Sequence, residues 1–401
     1  MPVAFSIDSR LAAGAPAAGQ RAAGGVVFDI VAGTGAILAL EAEWRRLEAE
    51  GPDTALFQSF DWCRNHLDAT AESARWRPVA LLARRAGRPV ALLPAAVIAK
   101  HGLHVLTGMC EPFQQYSELL LARGESPAAH SSMLLAAIKS LRVDYLHFGQ
   151  VRAGGALAEV LGASGAAQVD CDAAPYVELS AFPHHDAYLA TLNAKTRKNL
   201  RNAVNRLQRQ AELAHVVTRE GPQFVAAIGR TYEGRAAWLK RLGLTSRAFR
   251  DADFSDFVRR FAEGRAQGID TVAMSLSHGG NPVSDQWGFL YKGRYYAFMA
   301  TWNASYEAVS PGRIHLGEVI GAAFSQGWRV ADFMIPAVPY KLTWATGSAP
   351  VGDYVLPLSL RGYVQVEGWL RRLRPFAKRL VAGFSPALRS RLLKWLLPWF
   401  E

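Results

Sequence analysis

The chain has 401 residues, 50% of them hydrophobic, and a formal net charge of +11. That length holds about two domains with a core in each, and the charge points to an anionic partner: nucleotide phosphate, nucleic acid or a membrane surface. Cys63, Cys110 and Cys171 are far apart and in no CxxC pairing, so neither a disulfide framework nor a zinc site is indicated, and no apolar run is long enough for a transmembrane span.

Residues 1–25 carry Asp8 and then an Ala/Gly-rich run without the apolar core of a secretory signal, and read as a disordered leader. Val26 to Val31 forms a first strand and Ala36 to Glu50 a helix, with Leu38, Leu40, Trp44 and Leu47 on or near one face. Between them, Gly33-Thr34-Gly35 imitates a dinucleotide fingerprint, but Leu38 holds the third glycine position and no strand-end acid follows, so it is read as a turn. Pro78 to Ala83 and Pro89 to Ile98 flank a hairpin signal, and His104 to Leu106 begins another strand. A helix starts at Ser126-Pro127 and leads into a strand at Asp144 to Phe148. The Gly- and Ala-rich stretch from Gly149 to Ala174 reads as the domain boundary.

Lys195 to Gln210 opens the second half with six cations and no acid; Leu200, Val204 and Leu207 make a narrow seam by which such a helix docks. Its charged faces are either solvated or turned to phosphate or RNA. A helix from Gln223 to Leu242 follows, then strands at Thr271 to Leu276, Val283 to Tyr291 and Tyr295 to Trp302. Ser310 is a natural N-cap, Pro311 suits the first helical position, Leu316, Val319, Ile320, Ala323 and Phe324 recur at helical spacing, and Gly327 suits the C-terminus. A strand at Val330 to Ile335 closes the unit. Arg313 stands out, because a cation in a helix's first turn opposes the macrodipole unless it shares an anion with the free N–H groups; otherwise it is a plain solvent-facing arginine. Ser126-Pro127 before Asp144-Tyr145 parallels Ser310-Pro311 before Asp332-Phe333, so the same α/β unit occurs twice, and only the second copy has the arginine.

No GxSxG, GxxxxGK[ST] or HExxH motif occurs, and the ten histidines lack ligand spacing, so metal dependence is not expected. Asp285 and Asp332 are candidate bases or amine anchors, since each lies in an apolar strand; the plainer reading, favoured for Asp332, is a strand-edge residue at solvent or a hydrogen-bonded structural acid, and Asp285 follows a turn closely enough to be exposed. Tyr306 and Tyr340 are candidate proton donors, and His315, within one turn of the anion site, a base or phosphate contact. Tyr232, Trp238 and Trp287 are candidate pocket walls, with core packing as the alternative. From Arg361 onward nine Lys/Arg face only Glu367 and Glu401, and apolar stripes run along two short helices split near Ser385-Pro386. Such helices lie on an anionic membrane, cover a domain or bind a partner.

The strands around Tyr291 to Trp302, the turn Ser310-Pro311-Gly312, the strand at Asp332, the Tyr340-Lys341 pair and the run Lys195-Thr196-Arg197-Lys198-Asn199-Leu200-Arg201 together resemble the CelD-type branch of the GNAT acyltransferase superfamily and the related Fem-type peptidyltransferases. The resemblance spans roughly residues 26 to 360. It implies an α/β fold of two tandem GNAT-like units, each a mixed β-sheet flanked by helices, over residues 26–174 and 175–360, followed by the basic amphipathic helical tail, 361–401. It also implies acyl transfer from acyl-CoA or acetyl-CoA to an amine or hydroxyl, with a cell-envelope or exopolysaccharide precursor as acceptor, in the cytoplasm or at the inner face of the membrane. Ser310, Gly312, Arg313 and His315 would hold the pyrophosphate, Lys341 would stabilise the carbonyl oxygen, and Asp285, Tyr306 and Tyr340 would serve the proton transfers. Arg313, Gly317 and Gly321 only approximate the usual [QR]xxGx[GA] loop. That departure leaves an aminoacyl-tRNA donor open, the one nucleic acid expected, and also a non-catalytic scaffold role in a polysaccharide synthesis complex.

Overall fold

The computed structural model describes residues 20–21, 25–52, 55–70, 76–244 and 246–384. Its first half comprises β1 (Gln20–Arg21), β2 (Val26–Ala32), α1 (Thr34–Leu38), α2 (Glu41–Glu50), α3 (Phe60–Ala69), β3 (Trp76–Arg85), β4 (Arg88–Lys100), β5 (Leu103–Gly108), β6 (Leu120–Leu121), α4 (Pro127–Ser140), β7 (Tyr145–Arg152), α5 (Ala156–Ala163) and β8 (Ala167–Glu178). The second half follows with α6 (His185–Thr191), α7 (Ala194–Gln208), β9 (Leu213–Thr218), α8 (Gly221–Leu242), α9 (Arg247–Arg250), α10 (Asp253–Ala262), β10 (Asp270–His278), β11 (Asn281–Tyr291), β12 (Arg294–Trp302), α11 (Pro311–Ser325), β13 (Val330–Asp332), α12 (Pro339–Trp344) and β14 (Gly347–Pro357). A last helical run holds α13 (Leu360–Tyr363), a π-helical stretch (Val364–Leu373) and α14 (Arg374–Ala382).

Both halves repeat one order: a strand, a set of helices, three antiparallel strands, a helix, a parallel strand, a helix and a last strand. The turns repeat as well. Ala86-Gly87, His101-Gly102, Gly279-Gly280 and Lys292-Gly293 all have positive φ at both residues, the two-residue geometry that matches strand twist in a hairpin. Among the described residues only β5 with β7 and β12 with β13 pair as parallel strands, apart from one isolated bridge at Ser117.

The expectation of an α/β fold with two repeated units holds, but the two sheets are one. Its order is β1-β2-β3-β4-β5-β7-β14-β8-β13-β12-β11-β10-β9, with β6 beside β4. The halves exchange their last strands: β14, from the second half, pairs with β7, and β8, from the first, pairs with β13. Each exchanged strand covers what would otherwise be an open edge, and the two pair with each other at the centre. The core is shared too, since Trp62 of α3 packs edge-on against Phe257 of α10 and Phe289 of β11.

One reading differs from the structure, the length of the strand after α11. The Gly/Ala-rich stretch at 149–174 holds the end of β7, α5 and most of β8, with Gly154 and Gly165 in the turns between these elements. The strand expected over Val330 to Ile335 stops at Asp332, where the chain turns through Met334 with φ 57°. The basic tail begins as one helical run over 360–382; the second stripe, beyond Ser385, lies outside the described residues. Most of the leader lies outside them as well, and Gln20–Arg21 within it pairs with β2.

Candidate functional site

Strands β12 and β13 run together only from Arg294 to Tyr296 against Val330 to Asp332. Beyond that point β12 continues to Trp302 without this neighbour, so the sheet splays open at the strands' C-terminal ends, where α11 also begins. Ser310 sits at its N-cap in the left-handed region (φ 53°, ψ 59°), its hydroxyl makes no cap hydrogen bond, and the first turn holds no acid. Pro311 has no N–H and the Arg313 N–H turns back to the Ser310 carbonyl at 2.9 Å. The helix end therefore offers positive dipole and the Gly312 N–H rather than an acid of its own.

Helix α7 lies across this end. Asn193 caps it by accepting the Lys195 N–H at 2.8 Å, Leu207 is buried, and Leu200 reaches α11 beside Gly317. That docking turns Lys195, Thr196, Asn199, Asn202 and Arg206, which recur at helical spacing, toward Ser310 and Arg313. Together with Trp344 they enclose a cavity of about 510 Å³, within the roughly 300–1,000 Å³ of small-molecule sites. No Asp or Glu lines it. Lys195, Arg206 and Arg313 make no ion pair among the described residues, so three cations and a helix N-terminus share one space without a counter-charge.

The first half provides an internal control. Ahead of α4, Glu125 is held by Arg85 (2.6 Å) and His130 (2.9 Å), so an acid stands at the position corresponding to the acid-free end of α11. The splay between β5 and β7 is filled by the chain's own loop: the Ser117 N–H donates to the Gln150 carbonyl (3.3 Å), its hydroxyl donates to the Gly149 carbonyl (2.8 Å), and Glu118 accepts the Leu157 N–H at 2.8 Å. Only the second copy is open and cationic.

The other sequence-predicted residues fall into two groups. Tyr340 and Lys341 lie on α12, whose last turn supplies Thr343 and Trp344 to the cavity. Arg235, which the sequence reading missed, lies 4.3 Å over the ring of Trp238 and close enough to Tyr340 and Lys341 to act on both electrostatically. Lys341 donates to the Met334 carbonyl at 3.1 Å; burial, reinforced by Arg235, lowers its ammonium pKa to about 8, against the pull of Asp332 and Asp172. Asp332 is fully buried and accepts from the Tyr116 hydroxyl (3.0 Å), the Met334 N–H (2.9 Å) and Arg152 (3.2 Å), which ties the loop that fills the first splay to the edge of the second. Nothing in the spacing of Tyr116, Arg152 or Arg235 marks them, because their partners are remote in sequence.

The second group is structural. Asp285 is not exposed after its turn but buried, gripped by Arg230 through two bonds of 2.7 Å and by Ser275 at 2.6 Å, so both its oxygens are engaged. His315 faces away from the cavity, into the core: its Nδ1 meets the Ser284 hydroxyl at 2.8 Å, and burial plus neighbouring His215 lower its pKa to about 3, leaving it neutral and unsuited to a phosphate. The Tyr306 hydroxyl donates to His278 Nδ1 (3.4 Å) as His278 Nε2–H donates to the Leu207 carbonyl (2.9 Å), so its proton is already engaged. Trp287 is a core residue among Phe261, Phe289 and Phe298, and Tyr232 stacks on Phe249. Among the described residues no group of three or more His, Cys, Asp or Glu is placed to hold a metal.

Residues 194–342, which span α7 through α12, match the family model described as an acetyltransferase (GNAT) domain. The match covers 149 of the 401 residues. The whole fold is similar to the crystal structure of FemX (11% identity, 82% of this chain, 98% of that one, TM-score 0.56). It is also similar to the C-terminal domain of a putative lysylphosphatidylglycerol synthetase from Agrobacterium fabrum (11% identity, 80% of this chain, 91% of that one, TM-score 0.50). At such identity these are likenesses of fold. No curated protein matches the chain significantly.

Proposed function

We propose that the chain is a GNAT-type acyltransferase that takes its acyl group from acyl-CoA, with the donor's phosphates in the cavity between α7 and α11 and its thioester in the splay between β12 and β13. The observation that carries this reading is the convergence of Lys195, Arg206 and Arg313 on an acid-free helix N-terminus inside the GNAT domain. In the reaction the acceptor amine or hydroxyl attacks the thioester carbonyl, the oxygen gains charge, the C–S bond breaks as the thiolate takes a proton, and the proton the acceptor loses replaces the one given up. Lys341 has the charge for the oxygen and Tyr340 a proton for the sulfur. The acceptor class, an envelope or exopolysaccharide precursor, rests on the resemblance to CelD-type and Fem-type proteins. Calorimetric titration with acetyl-CoA and longer acyl-CoAs tests the donor: saturable binding is expected, and no heat from any of them refutes CoA dependence.

One observation favours an aminoacyl-tRNA donor instead. Lys198, Arg201 and Arg209 extend the cationic surface of α7 outside the cavity, are exposed, and have no ion-pair partner among the described residues. Binding of tRNA that weakens steeply with salt, without acyl-CoA binding, would select this reading.

A further inference from the structure

The helical run from Leu360 to Ala382 docks by one edge only. Val366 and Leu370 are buried with Leu103, Val105, Tyr145 and Val355, and Gly362 lies against the Asp144 carbonyl so closely that a side chain there would collide. The opposite side is apolar and uncovered by the described residues. Leu360, Tyr363, Val364, Leu373, Phe376 and Leu380 are six of the eleven exposed large hydrophobic side chains among the described residues, and Leu360 is 82% and Phe376 67% accessible. Scattered exposed leucines need no explanation, but more than half of them gathered on one short run do.

Charge on the same run has one sign. Six of its residues are Lys or Arg and one is acidic. That acid, Glu367, is occupied by Arg371 through both oxygens at 2.6 and 2.8 Å. Arg372 and Arg379 are exposed and make no ion pair among the described residues. A protein partner would present a groove lined with carboxylates; an anionic lipid surface accepts a convex ridge of apolar side chains flanked by arginines as it stands. Among the described residues no helix is long and apolar enough to cross a membrane, so contact would be by the helix flank.

We propose that this run is a bilayer-docking surface, in which Leu373, Phe376 and Leu380 enter the headgroup boundary of an anionic leaflet while Arg372 and Arg379 pair with lipid phosphates. The inference is independent of the acyl donor. Full-length protein is mixed with vesicles of phosphatidylcholine alone or with one quarter phosphatidylglycerol, and co-sedimentation is measured. Binding is expected to the anionic vesicles only, to fall by roughly fivefold for each of Arg372→Ala and Arg379→Ala, and to be lost in Phe376→Ser/Leu380→Ser. These residues are exposed, so the variants should keep the parent's thermal midpoint. Equal binding to neutral vesicles, or binding unchanged in the variants, overturns the proposal. So does a dimer in solution that Phe376→Ser/Leu380→Ser converts to monomer, which would assign the face to a second copy of the chain.

Discussion

Replacing Arg313 by alanine separates a ligand-binding arginine from a structural one. Arg313 is exposed and has no ion-pair partner among the described residues, so its removal leaves no buried charge uncompensated, and stability should stay within the roughly 0.5 kcal/mol usual for surface changes. For a bound phosphate the position matters more. Two unit charges about 4 Å apart interact by about 1 kcal/mol in water and about 4 kcal/mol near a protein surface. A charge-assisted hydrogen bond is worth about 1.5–3 kcal/mol net, which at 1.4 kcal/mol per decade is a Kd rise of about 10- to 150-fold. Isothermal titration with acetyl-CoA, beside a melting curve of the same sample, reads both quantities. Since Lys195 and Arg206 share the cavity, the residual affinity should still decline with salt, with a shallower slope than the parent's. An unchanged Kd, or a weaker Kd accompanied by a large fall in melting temperature, refutes the reasoning: the first removes the anion from Arg313, the second makes the arginine structural.

Arg230→Ala should do the reverse, leaving Asp285 buried with Ser275 as its remaining side-chain partner and destabilising the fold by about 3 kcal/mol; an unshifted melting curve would return Asp285 to the list of free bases. His66, His215 and His315 are held neutral by burial, with pKa values lowered to about 3, 4 and 3. The unfolded chain binds protons below about pH 6.5 that the folded chain refuses, so stability is greatest above that pH and falls by up to about 1.4 kcal/mol per pH unit per histidine toward pH 4. Urea melts at pH 7 and pH 5 measure it, and His66→Phe should make the pH dependence shallower; equal stability at both pH values refutes the burial argument. If the Lys341 ammonium stabilises the carbonyl oxygen, transfer should decline as pH rises through about 8, and Lys341→Arg should move that limb upward. A profile identical in the two proteins removes Lys341 from the step.

What was legible in the sequence was local. Ser310-Pro311 and Gly327 bracket α11, and the repeated Ser-Pro before an aspartate disclosed the two copies, because caps and turns are decided by neighbouring residues. The cation run of α7 was visible, but that it faces Arg313 depends on how Leu200 and Leu207 dock, which spacing does not encode. β14 was not among the expected strands, since Gly347, Pro350, Gly352 and Pro357 all disfavour one; it is a strand because it has β7 on one side and β8 on the other. Asp285 looked like a lone carboxylate because Arg230 lies on another element. His315 looked available because sequence shows its distance from the helix end and not which side of the helix it occupies.

The exchange of β8 and β14 also bears on how the chain assembles. During synthesis the first half emerges first, but the edge of β7 and one edge of β8 find their partner only when residues 347–357 arrive, about two hundred positions after β7. Until then a nascent chain carries unpaired strand edges at the middle of its future sheet, where pairing with another molecule competes with waiting. Formation of these contacts is non-local and should be among the slow steps of folding. Hydrogen exchange pulsed during refolding should protect the hairpins β3–β4 and β10–β11 before β14.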